Sequence, residues 1–119
     1  MRMQQVAEEL AAENDKLLPR ARALAPLQAD HMERSCDSLL FNMAEGIACF
    51  KPKMKISAYD ISRKEGNEYR AVLRRLKVKG VSTWDEIKRA HELAGVCIAM
   101  LTNATITVEK RLPAKKRRK

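Results

Sequence analysis

The stretch YDISRKEGNEYRAVLRRL, Tyr59 to Leu76, sets the fold. Tyr59, Ser62, Gly66, Tyr69, Leu73 and Leu76 recur at alternating steps of three and four residues. A strand would alternate every second residue, whereas steps of three and four place all six side chains on one face of a helix. A seam of this kind belongs to long helices that pack at shallow angles. Ser62 and Gly66 are small, and so is Gly46 upstream. At seam positions such residues let neighbouring backbones approach closely. The predicted helix runs from Lys53 to Val78, and Lys79 and Gly80 end it, the glycine supplying a left-handed cap.

On the C-terminal side, a segment that starts with Ser82 and Thr83 opens with a capping box, Thr83 followed by Glu86, and Asp85 favours the positive end of the helix. Ile87, His91, Ala94, Ile98, Leu101, Thr105 and Val108 form its seam. Leu93, Cys97, Met100 and Ala104 form a second apolar row, and Pro113 stops it. So wide an apolar face predicts burial on two sides, one of them a subunit interface. Upstream, Met32, Cys36, Leu39, Met43 and Gly46 or Ile47 mark a helix that starts after Pro26 and closes before Pro52. The first segment, Met3 to Leu24, carries Met3, Val6, Leu10, Leu17, Ala21 and Leu24 on a stripe interrupted by Asn14. Pro19 inside it predicts a kink or a break. Short connections make successive helices antiparallel neighbours. The expected fold is all-α, an antiparallel up-down-up-down four-helix bundle over residues 1–112, followed by a basic disordered tail at 113–119.

Composition agrees with this. Four glycines and four prolines in 119 residues leave few turns, and 45% hydrophobic with 33% charged residues describes a globular chain. Cys36, Cys49 and Cys97 have neither zinc nor redox spacing and read as small buried hydrophobes in a reducing compartment. The start carries Arg2, Glu8 and Glu9 where a signal peptide needs an apolar stretch, and the longest apolar run, Leu93 to Leu101, is too short to span a bilayer. The expectation is a cytoplasmic protein with no membrane association.

Charge is unevenly spread. Residues 1–46 hold five basic and eight acidic residues, and residues 47–119 hold nineteen and seven, so a net charge of −3 is followed by one of +12. Such asymmetry predicts an anionic partner for the second half. Arg63, Arg70 and Lys77 recur every seven residues with Arg74 beside them. Lys64 and Arg75 widen this stripe, and Lys51, Lys53 and Lys55 extend it into one continuous positive surface. The tail Lys115, Lys116, Arg117, Arg118 and Lys119 reads as a phosphate-binding arm or, alternatively, as a solubilising terminus. The stripe has the competing reading of an ordinary solvated face. Aromatics are few, Phe41, Phe50, Tyr59, Tyr69 and Trp84, and no interleaved basic-aromatic platform for unpaired bases is apparent. Nucleic-acid binding would therefore run through the backbone with little sequence preference.

No nucleophile is paired with a base, no glycine-rich phosphate loop occurs, and neither His31 nor His91 belongs to a ligand cluster. His91 reads as a hydrogen-bonded core residue. The chain is expected to be non-enzymatic, with no metal and no cofactor.

Residues 35–46, SCDSLLFNMAEG, contain Ser38, Asn42, Ala44, Glu45 and Gly46. This pattern resembles the signature of the bacterial four-helix bundle proteins encoded in intervening sequences of ribosomal RNA genes. Arg34, Tyr59, Ile61, Glu68, Tyr69 and the pair Met100 and Leu101 are similar to weaker positions of that family, and the likeness covers roughly residues 5–112. Lys64 and Glu65 stand where the family usually has Gly-Ser. The resemblance implies an antiparallel four-helix bundle, a homopentamer around a central axis, and a structural role for the five motif residues. It also implies kinship with the accessory variability determinant proteins of diversity-generating retroelements, which are basic and bind a reverse transcriptase and nucleic acid. Two functions stay open. One is a basic accessory protein that binds RNA or DNA, as a partner of a reverse transcriptase or of ribosomal RNA. The other is a protein-interaction scaffold that touches no nucleic acid.

Overall fold

The structure is a computed structural model and describes residues 2–113. The tail residues Lys115, Lys116, Arg117, Arg118 and Lys119 lie outside the described residues. Four helices follow one another: α1 (Arg2–Leu24), α2 (Pro26–Ala48), α3 (Pro52–Val78) and α4 (Trp84–Lys110). Each packs on two neighbours in the cyclic order α1–α2–α3–α4, which is the expected antiparallel bundle. The bundle measures 50 × 26 × 21 Å.

All six residues of the α3 seam are buried, and so are Met32, Cys36, Leu39, Met43 and Gly46 of α2. Gly80 takes the left-handed conformation, with φ of 75°, and ends α3 as its sequence requires. The capping box at Thr83 is complete: the Glu86 amide donates to the Thr83 hydroxyl at 3.3 Å, and the Thr83 amide donates to the Glu86 carboxylate at 2.8 Å. Ser62 on α3 donates its hydroxyl to the Leu39 carbonyl at 2.7 Å, which ties α3 to α2 at mid-height.

Four expectations need correction. First, α1 runs unbroken through Pro19. Proline removes one helical hydrogen bond, but Pro19 and Asp15, the acceptor it leaves unused, are both exposed, so water replaces the lost donor. Buried Leu18 and Ala21 hold the helix on either side. Second, Asn14 does not interrupt the stripe. It is buried, and its side-chain oxygen accepts from the Tyr69 hydroxyl at 2.9 Å across the core diagonal, whereas Leu24 is 59% exposed. Third, the second apolar row of α4 is consumed within the bundle. Leu93 and Cys97 are buried and Met100 and Ala104 are partly buried against the core. Fourth, α4 as a whole is long and apolar enough to cross a membrane by length and composition, although its longest uninterrupted apolar run is short. In the bundle that helix supplies core residues, Ile87 to Val108.

The two buried cysteines behave as packing groups, since burial pushes the Cys36 thiol up to about 12 and the Cys97 thiol up to about 11. Cys49 departs from the expectation. It lies half-buried in the connection between α2 and α3 because that connection has no core of its own.

α3 and α4 outlast their partners. At the end where the described chain finishes, Ile56, Val108 and Leu112 form a small separate cluster. This places the α2–α3 connection and the C-terminal end of α4 at the same end of the bundle. The opposite end carries the α3–α4 connection.

Candidate nucleic-acid interface

The predicted basic stripe is not one surface. Arg63 is half-buried, donating to Asp60 at 3.0 Å and to Thr102 of α4 at 3.3 Å. Arg70 is also half-buried and donates to Nδ1 of His91 at 3.2 Å. Both guanidiniums are spent on the α3–α4 seam because their positions, every seventh residue, follow the core seam one step aside. Asp60 and Glu68 also line this face, in an open groove of about 600 Å³ with Arg63, Lys64 and Thr102, so it carries acid as well as base. Lys55 is withdrawn too, donating to the carbonyl of Gly46 and, at 3.2 Å, to that of Ile47.

What remains divides between the two ends of α3. At the C-terminal end Arg74, Arg75, Lys77 and Lys79 are all exposed, and among the described residues none forms an ion pair. Lys77 lies 6.0 Å from the centroid of the Trp84 ring. At the N-terminal end Lys51 and Lys53 are exposed, and Arg111 is exposed at the same end of the bundle. About 30 Å of helix separates the groups. Elsewhere basic side chains meet carboxylates: Lys16 with Glu13, Arg20 with Glu86, Arg22 with Asp30 and Glu33, Lys88 with Asp85, Arg89 with Glu9. Arg2, Arg34 and Lys64 are exposed outside these ion pairs too, but each stands singly, so among the described residues the densest group of cations without a carboxylate partner is the one at the C-terminal end of α3.

The five motif residues divide as well. Asn42 donates to the Ser38 carbonyl at 2.8 Å and to its hydroxyl at 3.1 Å, and Gly46 is buried against Tyr59, so these three are structural. Ala44 and Glu45 are exposed, because residues 44 and 45 fall on the outer side of α2. The Glu45 carboxylate lines a surface groove with Asn42 and Met54 rather than a buried network.

Phe50 is the residue that the sequence reading passed over. It is 97% exposed, in the three-residue connection 49–51 between α2 and α3. The signal was present, since FKPKMK, residues 50–55, lies between two helical periods and no seam claims the phenylalanine.

His91 is buried as expected. Its Nδ1 accepts from Arg70, its ring meets Trp84 edge-on at 5.3 Å, and its Nε2 has no partner among the described residues. Burial first, then the Arg70 and Arg74 charges, lower its pKa below the ordinary histidine value of 6.5, with Glu92 opposing. The folded state thus prefers the neutral ring, while the unfolded chain takes up a proton near 6.5. Stability from this site is complete above the ordinary histidine pKa and is lost as pH falls through the lowered one. Urea unfolding at about pH 7.5 and about pH 5.5 should show wild type losing more stability on acidification than His91→Gln. Equal losses would remove His91 from the pH dependence.

No family model and no curated protein matches the chain. Among solved structures it is similar to a protein of unknown function from the S23 ribosomal protein family of Bacteroides thetaiotaomicron. The TM-score is 0.80 at 17% identity, covering 87% of this chain and 97% of that one. The fold is shared. At this identity the likeness extends to the arrangement of helices and no further, so the basic ends of α3 must be read on their own chemistry.

Proposed function

We propose that this chain is a non-catalytic accessory protein that binds nucleic acid through its phosphate backbone. The observation that supports the reading is the clustering of Arg74, Arg75, Lys77 and Lys79, which have no carboxylate partner, in one exposed group. A helix C-terminus favours one or two cations through its dipole. Four within six residues repel one another and are relieved by phosphate, which also releases condensed counterions. The tail Lys115 to Lys119 adds five further charges in sequence after α4. The motif resemblance supports the finer reading, a homopentamer related to ribosomal RNA intervening-sequence and retroelement accessory proteins, with a reverse transcriptase as a candidate partner. Five copies would turn weak single contacts into usable affinity.

The test is a titration of duplex DNA, structured RNA and an RNA–DNA hybrid at several salt concentrations. The full chain is compared with a variant carrying Arg74→Gln, Arg75→Gln, Lys77→Gln and Lys79→Gln, and with a chain ending at Leu112. The quadruple variant should bind all three about tenfold or more weakly, with a salt slope shallower by roughly one for each phosphate no longer neutralised. Unchanged affinity and slope would leave these residues as a solvated helix end. The scaffold reading would then stand, and a pull-down for an acidic protein would follow.

A further inference from the structure

Phe50 stands at the end of the bundle away from Arg74, and its setting is rigid. The connection between α2 and α3 is three residues long and anchored on both sides. The Cys49 amide donates to the Glu45 carbonyl at 3.0 Å, the Lys55 amide to the Lys51 carbonyl at 2.9 Å, and the Lys55 ammonium to the Ile47 carbonyl at 3.2 Å. Cys49 and Lys51 are extended, and Pro52 enforces that conformation on the residue before it. The ring is therefore held out in water by a fixed backbone. Exposing a phenylalanine this fully contributes nothing to the bundle's own core.

Its neighbours match one kind of ligand. Lys51 and Lys53 follow the phenylalanine in sequence and are exposed, and Arg111 is exposed at the same end of the bundle. At the start of α3 a groove of about 320 Å³ is lined by Lys53, by Met54, 57% exposed, by Glu45 and by Asn42, whose amide group already donates to Ser38. An exposed aromatic ring with lysines one and three residues on, at the same end of the bundle as a groove with hydrogen-bonding groups, suits an unpaired nucleobase. The ring stacks on a base, the lysines take the flanking phosphates, and a carboxylate accepts from an exocyclic amino group. An anionic lipid surface would also attract the lysines and the ring, but a single aromatic offers little area for insertion. A paired duplex keeps its bases stacked on one another and offers none to Phe50.

We infer that the α2–α3 end of the bundle is a binding site for single-stranded nucleic acid, with Phe50 as its stacking platform. This rests on the nucleic-acid reading above and specifies its substrate class. It also makes the two ends of α3 unequal, the Arg74 end serving phosphates of any strand and the Phe50 end serving unpaired ones.

The experiment measures fluorescence anisotropy of a labelled single-stranded oligonucleotide and of its duplex at one salt concentration. Wild type, Phe50→Ala, Phe50→Leu and Phe50→Trp are compared, together with sedimentation on phosphatidylserine vesicles. Because Phe50 touches no core, all variants should fold, and circular dichroism checks this. Phe50→Ala and Phe50→Leu should weaken single-strand binding by roughly five- to a hundredfold, while Phe50→Trp retains it and duplex affinity stays within about twofold. Undiminished single-strand binding by Phe50→Ala overturns the inference while leaving backbone binding intact. Vesicle binding that depends on residue 50 and survives as leucine overturns it in favour of a lipid surface. If wild type binds neither strand form, the parent reading falls and this site falls with it.

Discussion

Gly46→Ala should destabilise the bundle even though the same change in an open helix stabilises. A methyl group at Gly46 would overlap the Tyr59 ring, whose carbons already occupy that space. Tyr59 is buried on α3 and cannot swing aside as a flexible chain end would. Alanine in place of glycine gains about 1 kcal/mol of helix propensity. Overpacking a filled core costs about 1–3 kcal/mol. The second effect should win, leaving a net loss of about 1 kcal/mol or more. Gly95 on α4 is the control. A methyl there meets only the Arg70 guanidinium, at an ordinary 3.5 Å, so Gly95→Ala should gain up to about 1 kcal/mol. Urea unfolding of both variants decides the matter. If Gly46→Ala also stabilises, the close approach of α2 and α3 is not what this glycine provides. The result bears on function as well, because Gly46, Tyr59 and Lys55 together brace the connection that carries Phe50. Lys55 reaches the Gly46 carbonyl and lies 5.6 Å from the centroid of the Tyr59 ring.

The second large effect concerns the one polar pair seen to cross the core among the described residues. Tyr69 is fully buried, and burial raises its phenol far above the ordinary range, so it remains a donor throughout the accessible pH range. Its partner, Asn14, is 3% exposed. Tyr69→Phe should cost about 1–3 kcal/mol, because it leaves the Asn14 oxygen buried without a donor. Asn14→Leu should cost a similar amount by stranding the Tyr69 hydroxyl. With both changes made, neither member of the pair leaves a polar group stranded, and the double variant should approach wild type. The expected coupling therefore approaches the sum of the two single losses, about 2–6 kcal/mol, read from a double-mutant cycle by chemical denaturation. Additive losses would mean that the two side chains act separately and that the 2.9 Å contact carries no stability.

Much of the architecture could be read along the chain because its determinants are local. The three-and-four spacing from Tyr59 to Leu76, the Thr83 and Glu86 box, and Gly80 after Lys79 each act within a turn or two of helix. Local rules failed at Pro19 and Asn14. Whether a proline breaks a helix depends on which way its unused acceptor faces, and whether a buried asparagine is tolerated depends on a hydroxyl 55 residues away.

The candidate site shows the same division more sharply. Residue types and their spacing were enough to establish that the second half is strongly basic and that α3 carries cations beside its seam. Which cations are available was settled by the packing of the helices. Charge is a property of the residue, but its partner is set by the neighbouring helix. Packing α4 against α3 gives Arg63 to Thr102, beside Asp60 on its own helix, and gives Arg70 to His91, while Arg74, Arg75, Lys77 and Lys79 are left exposed. Phe50 is the reverse case. Its residue type predicts burial, and it stays in water because a three-residue connection braced at both ends cannot fold it back onto the core.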